Sequence, residues 1–278
     1  MRHHGTYEMT PGIPSLSRVA ACAAILTFAA SASLAEPKLM TFPAGGVDRK
    51  AIVYAPASKT GRAPLIFAFH GHGDSAENYV GVDLQSAWPE AVVVYFEGLP
   101  VRDGLSGWQT EPGQDSDRDL KLVDAALAAL RKTYKIDDER VYATGFSNGA
   151  HFTYLLWAER PAVFAAFAPV AGRIRPDAVP AQPKPLLNVG GKNDHQVDFA
   201  DQTAAMETAR KVDGVAANPT FCTSVMTATR CTLYASSNGT PVMTLVHPGG
   251  HAYPEGTSEE IVKFFKRFTL EHAKSAAR

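Results

Sequence analysis

The sequence predicts an α/β fold, a mostly parallel central sheet with helices on both faces, and three observations carry that prediction. Apolar runs rich in β-branched and aromatic residues recur along the chain, at Pro64-Leu65-Ile66-Phe67-Ala68-Phe69, Ala91-Val92-Val93-Val94-Tyr95-Phe96, Arg140-Val141-Tyr142-Ala143-Thr144, Pro185-Leu186-Leu187-Asn188-Val189 and Val242-Met243-Thr244-Leu245-Val246. Strands buried on both faces read as continuous runs of this kind. Helical periodicity lies between them: over 119–132, Leu120, Val123, Leu127 and Leu130 share one face, and the stretch opens near Asp115-Ser116-Asp117 as a cap. Finally, loops carrying glycine, histidine and aspartate follow several of these runs, at the strand ends where open parallel sheets build their sites.

Taken in chain order, residues 1–35 read as a signal peptide and 36–278 as a single domain. Arg18 precedes the apolar stretch Val19-Ala20-Ala21-Cys22-Ala23-Ala24-Ile25-Leu26-Thr27-Phe28-Ala29-Ala30, which is short for a membrane span, and Ser33-Leu34-Ala35 offers small residues for cleavage. The apolar core follows Cys22 rather than preceding it, which argues against lipidation, and Met9 is an alternative start. A buried N-terminal helix is the competing reading. Export implies a secreted or periplasmic protein with no membrane association after cleavage.

The remaining elements follow local signals. Arg49-Lys50-Ala51-Ile52-Val53-Tyr54 reads as an early strand, and Asn238-Gly239 as a tight hairpin turn between Thr232-Leu233-Tyr234 and Val242-Met243-Thr244. Asn238-Gly239-Thr240 is also a glycosylation sequon. Thr257-Ser258-Glu259-Glu260 reads as a capping box opening a helix through Phe264, Phe265 and Phe268. Cys222 and Cys231 remain after removal of the leader, and an even pair in an exported protein favours a disulfide over two free thiols. With 27 basic and 28 acidic residues the net charge is −1, so no general electrostatic attraction to nucleic acid is expected.

The chemistry concentrates in Gly145-Phe146-Ser147-Asn148-Gly149, placed between a strand and the helix-like Ala150-His151-Phe152-Thr153-Tyr154-Leu155-Leu156-Trp157. A serine alcohol is a weak nucleophile, and a strained strand-to-helix turn exposes its Oγ to a base while the next N–H faces a developing oxyanion. The pentapeptide alone is weak, a loop serine being the bland alternative. An acid and a base follow in the required order. Asp194 lies in Gly190-Gly191-Lys192-Asn193-Asp194-His195-Gln196-Val197 after one strand, and His251 in His247-Pro248-Gly249-Gly250-His251 after another. His247 is the principal rival base. His3 and His4 belong to the leader, His151 and His272 to helices, and His195 is too close to Asp194 to be oriented by it. Asp198 and Asp201 are lesser rival acids, and loop capping is the bland reading of Asp194.

The expected oxyanion hole joins the N–H of Asn148 to that of His72, in His70-Gly71-His72-Gly73-Asp74-Ser75. His70 and His72 form an H-x-H pair, and the i, i+4 pair His247 and His251 suggests a zinc helix. The first lacks further ligands at sensible spacing and the second is broken by Pro248-Gly249-Gly250, so no metal and no cofactor is expected. The loop 97–109 is long for a connection and carries Trp108, which either stacks on an aryl or sugar ring of the substrate or simply packs.

These residues resemble the polyhydroxybutyrate depolymerase and feruloyl esterase branch of the α/β-hydrolases, close to carbohydrate esterase family 1. The resemblance rests on His70-Gly71-His72-Gly73, Trp108, Ile136-Asp137-Asp138-Glu139-Arg140-Val141-Tyr142, Gly145-Phe146-Ser147-Asn148-Gly149-Ala150, the segment 191–194 and Gly249-Gly250-His251. His72 stands where some depolymerase-like relatives carry a cysteine. The resemblance implies the α/β-hydrolase fold and a serine carboxylesterase acting on a small-molecule or oligomeric ester. No adsorption module is expected beside the single domain, which favours soluble esters over crystalline polyester. A serine peptidase or acyltransferase on the same fold, or a binding protein that has lost catalysis, are the alternatives. Oligomeric state is not encoded.

Overall fold

The computed structural model describes residues 1, 34–58 and 61–271. Of the chain's two units, Met1–Ser31 and Ala32–Arg278, the second carries the fold. Most of the expected leader, with Met9, Arg18, Cys22, His3 and His4, therefore lies outside the described residues, as does His272. At its margin Leu34 bridges Pro56, and the Ala35 N–H donates to Ala55 O at 2.9 Å.

In chain order the elements are β1 (Lys38–Ala44), β2 (Val47–Tyr54), β3 (Ala63–Phe69), α1 (Ala76–Tyr79), α2 (Leu84–Ala87), β4 (Val92–Phe96), the two-residue strands β5 (Leu99–Pro100) and β6 (Ser106–Gly107), α3 (Arg118–Thr133), β7 (Ile136–Phe146), α4 (Asn148–Glu159), β8 (Ala166–Val170), β9 (Leu186–Gly191), α5 (Phe199–Val212), β10 (Thr220–Cys222), β11 (Arg230–Tyr234), β12 (Val242–His247) and α6 (Thr257–Phe265). The main sheet runs β1-β2-β4-β3-β7-β8-β9-β12-β11-β10. Its centre, from β4 to β12, is parallel, and antiparallel partners close both edges.

Alternation along the strands divides the core into two layers. Leu65, Phe67 and Phe69 of β3 face Val123 and Leu127 of α3, Phe152 and Leu155 of α4, and Ala205 and Ala209 of α5. Ile66 and Ala68 point the other way, into the layer of Tyr79, Leu84, Tyr142, Phe264 and Phe265. Because the central strands are covered on both faces, their sequences carry no polar alternation. The parallel arrangement also brings the loops after β3, β7, β9 and β12 to one edge of the sheet, where the expected site residues converge.

Four local expectations are corrected. The Asp115-Ser116-Asp117 stretch does not cap α3 through a side chain; Asp117 is left-handed and its Oδ1 accepts from Gln109 Nε2 and the Gly113 N–H. Asp119, in the first turn, is fully buried in an ion pair with Arg49 at 2.8 Å. The capping box also fails: Gly256 at φ 82° precedes α6, while Glu260 turns away to accept the Val225 N–H at 2.6 Å. In both places a partner outside the helix takes the side chain that would have served the local cap. The helix α6 ends at Phe265, before Phe268. Finally, β11 and β12 do pair, with Tyr234 opposite Val242, so the connection containing Asn238-Gly239 is a loop over 235–241 rather than a two-residue turn. Cys222 and Cys231 sit opposite each other on β10 and β11 and form a disulfide.

Candidate active site

Ser147 occupies the turn between β7 and α4 at φ 55°, ψ −115°. That region is unfavourable for a residue with a Cβ, and it is held by the ends of two packed elements. The Ser147 N–H donates to Val170 O at 2.9 Å, and Ser147 O accepts from the N–H groups of Ala150 and His151. The flanking glycines are required by space: a Cβ on Gly145 would lie 2.3 Å from Gly149 O, and one on Gly149 would lie 2.1 Å from Phe69 O. Strand β7, helix α4 and strand β3 therefore approach at distances that exclude a side chain.

Three residues distant in sequence form one hydrogen-bonded line. His251 Nε2 lies 2.8 Å from Ser147 Oγ, and His251 Nδ1 lies 2.8 Å from Asp194 Oδ2. An ionised carboxylate only accepts, so Nδ1 carries the proton; the neutral imidazole then presents a lone pair at Nε2, to which the Ser147 hydroxyl donates. Asp194 is buried, with Oδ1 accepting from the N–H groups of Gln196 (2.9 Å) and Val197 (3.1 Å). Burial alone would raise this carboxyl, yet it lies below its ordinary value because His251 and these two N–H groups favour the charged form.

The rivals take no part in this line. His247 accepts the Gly249 N–H at Nδ1 (3.2 Å) and is buried, which lowers its basicity. Asp201 pairs with Arg173, and Asp198 precedes α5 without a side-chain capping bond. His195 is exposed. His151 is packed against α4's surroundings, where burial, with Arg173 and Arg175 adding to it, pushes its pKa down to about 3. In the loop after β3 the two histidines serve different partners. His70 donates from Nδ1 to Gly71 O at 2.7 Å and accepts the Gly98 N–H at Nε2, whereas His72 Nε2 meets Asp103 Oδ2 at 2.7 Å. Neither the His72 N–H nor the Asn148 N–H makes a hydrogen bond among the described residues.

Of the two expected roles for Trp108, the structure shows packing and not a substrate-facing ring. Its indole is 1% exposed, stacked on Phe152, edge-on to Phe69 and donating from Nε1 to His70 O at 2.9 Å. The side chain fills the core behind the site and presents no ring face to a substrate, because the apolar layer between β3 and α4 gains more from it there. Its backbone still lines a cavity of about 490 Å³ with Val101, Arg102, Asp103, Thr110, Gln114 and Asn148.

Sequence reasoning missed two supporting side chains. Gln202, fully buried on α5, donates from Nε2 to Asp194 Oδ2 at 2.8 Å and to Val197 O at 2.7 Å. A signal exists, since Gln202 shares a helical face with Ala205, Met206 and Ala209, and a polar residue on an apolar stripe asks for a buried partner. Phe146 lays its ring 4.9 Å from that of His251, centroid to centroid. No local pattern announces that contact.

No family model matches the chain. It is 30% identical over 237 residues to "Putative esterase NocK" of Nocardia uniformis subsp. tsuyamanensis, covering 73% of this chain and 69% of that protein. It is 26% identical to feruloyl esterase B of Piromyces equi, over 80% of this chain and 46% of that protein. Against poly(3-hydroxyalkanoate) depolymerase C of Paucimonas lemoignei the identity is 25%, over 79% and 61% respectively. Among solved structures, an acetyl xylan esterase from Aspergillus awamori superposes with a TM-score of 0.68 at 14% identity, covering 84% of this chain and 100% of that one, a likeness of fold alone. The chain thus belongs to the esterases of the α/β-hydrolase fold, with feruloyl esterases and a poly(3-hydroxyalkanoate) depolymerase among the proteins it is similar to.

Proposed function

We propose that this chain is an exported serine carboxylesterase that hydrolyses soluble esters, of hydroxyalkanoate-oligomer or feruloyl and acetyl type, through an acyl-enzyme. The observation that carries the reading is the continuous line from Ser147 through His251 to Asp194, with both hydrogen bonds at 2.8 Å. His251 Nε2 takes the Ser147 proton as Oγ attacks the ester carbonyl carbon, and the carbonyl oxygen becomes an anion received by the N–H groups of Asn148 and His72. Collapse expels the alcohol, protonated by His251, and leaves Ser147 acylated. Water then attacks, giving its proton to His251, and the acid departs with Ser147 restored. Asp194 keeps the imidazole in the tautomer this requires and stabilises its cation. No step calls for a metal or an organic cofactor.

A fluorophosphonate probe tests the reading: it should label the wild-type chain at Ser147 and leave Ser147→Ala unlabelled. Acetyl, butyryl and feruloyl esters should turn over while peptide amides do not; a chain that neither takes the probe nor hydrolyses an ester is a binding protein. N-terminal sequencing of protein exported from a bacterial host should begin at Glu36, and an intact Met1 or Met9 would remove the leader assignment.

A further inference from the structure

The two N–H groups assigned to the oxyanion belong to unconnected elements. Asn148 opens α4, and His72 sits in the loop after β3. Such donors act only when both lie about 2.7–3.1 Å from the site of the developing anion, and a displacement of about 1 Å can cost roughly 100-fold in rate. Something must therefore hold one donor in register with the other.

We propose that the segment 103–108 is a strap that sets this spacing, with Gly107 and the Asn148 side chain as its decisive contacts. The proposal rests on the reading of Ser147 as nucleophile. On the His72 side, Asp103 Oδ2 accepts His72 Nε2 at 2.7 Å, Ser106 O accepts the Gly73 N–H at 2.8 Å, and Ser106 Oγ donates to Asp74 O. On the Asn148 side, the Trp108 N–H donates to Asn148 Oδ1 at 2.7 Å and Asn148 Nδ2 donates to Trp108 O at 3.2 Å. This paired amide contact fixes the Asn148 side chain to the backbone N–H and C=O of a single residue of the strap. The indole of Trp108, donating to His70 O, anchors the end of the strap in the core beneath both donors.

Gly107 lies between the two sets of contacts. A Cβ there would lie 2.8 Å from Asn148 Oδ1 and 3.4 Å from His72 Nδ1, so one residue of the strap touches both donor residues and has room for no side chain. The same segment closes the short ribbon of β5 and β6, with Leu99 opposite Gly107, so the strap is backed by its own hydrogen bonds and does not depend on the donors for its shape. Gly107 and Asp103 are accordingly positioning residues, and the Asn148 side chain positions the donor N–H of its own residue. They act on the spacing of two backbone N–H groups that themselves stay free for the substrate oxygen.

The test compares Gly107→Ala, Asp103→Ala and Asp103→Asn with the wild-type enzyme, measuring kcat and KM on a soluble acetyl ester, Ki for an alkylboronic acid, and thermal stability. The boronic acid forms a tetrahedral adduct on serine with an oxygen in the anion site. Gly107→Ala should lower kcat about 10–100-fold, by the scale of losing one oxyanion donor in part, and raise the boronate Ki by the same factor, with KM and melting temperature little changed. Asp103→Ala, altering an exposed side chain, should show the same pattern at about 3–10-fold, and Asp103→Asn, which keeps an acceptor for His72, should restore it. Variants that lose stability while keeping wild-type kcat and boronate affinity would overturn the strap. An inactive, unlabelled wild-type chain would instead overturn the serine-esterase reading, so the two failures are distinguishable.

Discussion

Asp194 Oδ2 accepts two hydrogen bonds of equal length, from His251 Nδ1 and from Gln202 Nε2, both at 2.8 Å. The acid is thus aimed at the imidazole by a buried amide on α5, which also bonds Val197 O and so ties the helix to the loop that carries Asp194. Replacing Gln202 by Leu should leave a buried carboxylate oxygen short of a donor and lower kcat about 5–30-fold, by an energy of about 1–2 kcal/mol. Gln202→Glu should be worse, because a second carboxylate raises the proton affinity of the pair. Steady-state kinetics decides, and wild-type kcat in both variants would reduce Gln202 to packing.

Ser147→Ala and His251→Ala should each lower ester turnover by roughly three to six orders of magnitude without unfolding the chain, since groups that act as a unit fail together. Asp194→Asn should lose less. His247→Ala should keep activity within about 10-fold, because the His247 ring is turned to the Gly249 N–H and takes no part in the line to Ser147. Loss of activity in His247→Ala with retention in His251→Ala would reverse the assignment.

Trp108→Ala should lower the stability of the fold by about 3–5 kcal/mol, the range for deleting a buried aromatic, and should affect aryl and acetyl esters alike. Denaturant unfolding and a two-substrate comparison measure both effects. A selective rise in KM for aryl esters would restore the ring to the substrate wall.

Acid should destabilise the fold through its buried histidines. Burial holds His151 at about 3 and lowers His70 and His247, against an unfolded value near about 6.5. Below that unfolded value the unfolded chain binds more protons, so stability is whole above it and is lost as the pH falls toward the folded values. His151→Gln should remove about 1–2 kcal/mol of the loss between about pH 7 and pH 5. An unchanged acid slope, measured by urea unfolding across this range, would show that the ring is not held neutral.

The Cys222–Cys231 bridge closes a short loop across β10 and β11 at the sheet edge. Reduction, or the double change to serine, should cost about 2–3 kcal/mol on the chain-entropy scale, and turnover per folded molecule should stay the same, as the bridge is remote in the sheet order from β7. Thiol titration of the unreduced protein should find no free cysteine at these positions.

Much of this protein was determined by the sequence alone, wherever the cause is local. The central strands were readable because burial on both faces demands unbroken apolar runs, and the elbow because Gly145, Ser147 and Gly149 must stand where β7 turns into α4. The order of Ser147, Asp194 and His251, and the loops that hold them, could be read for the same reason: each follows a strand of the parallel sheet. What only the tertiary structure decided is which polar and aromatic groups meet across the chain. Helix α6 lost its expected capping box because Glu260 found the Val225 N–H, 35 residues away, and Trp108 went inward because Phe69 and Phe152 leave it an apolar slot. Gln202, Phe146 and the pairing of Asn148 with Trp108 depend on contacts between residues eight to more than a hundred positions apart. Periodicity records which face of an element is buried; the identity of the partner on that face is set by packing between elements.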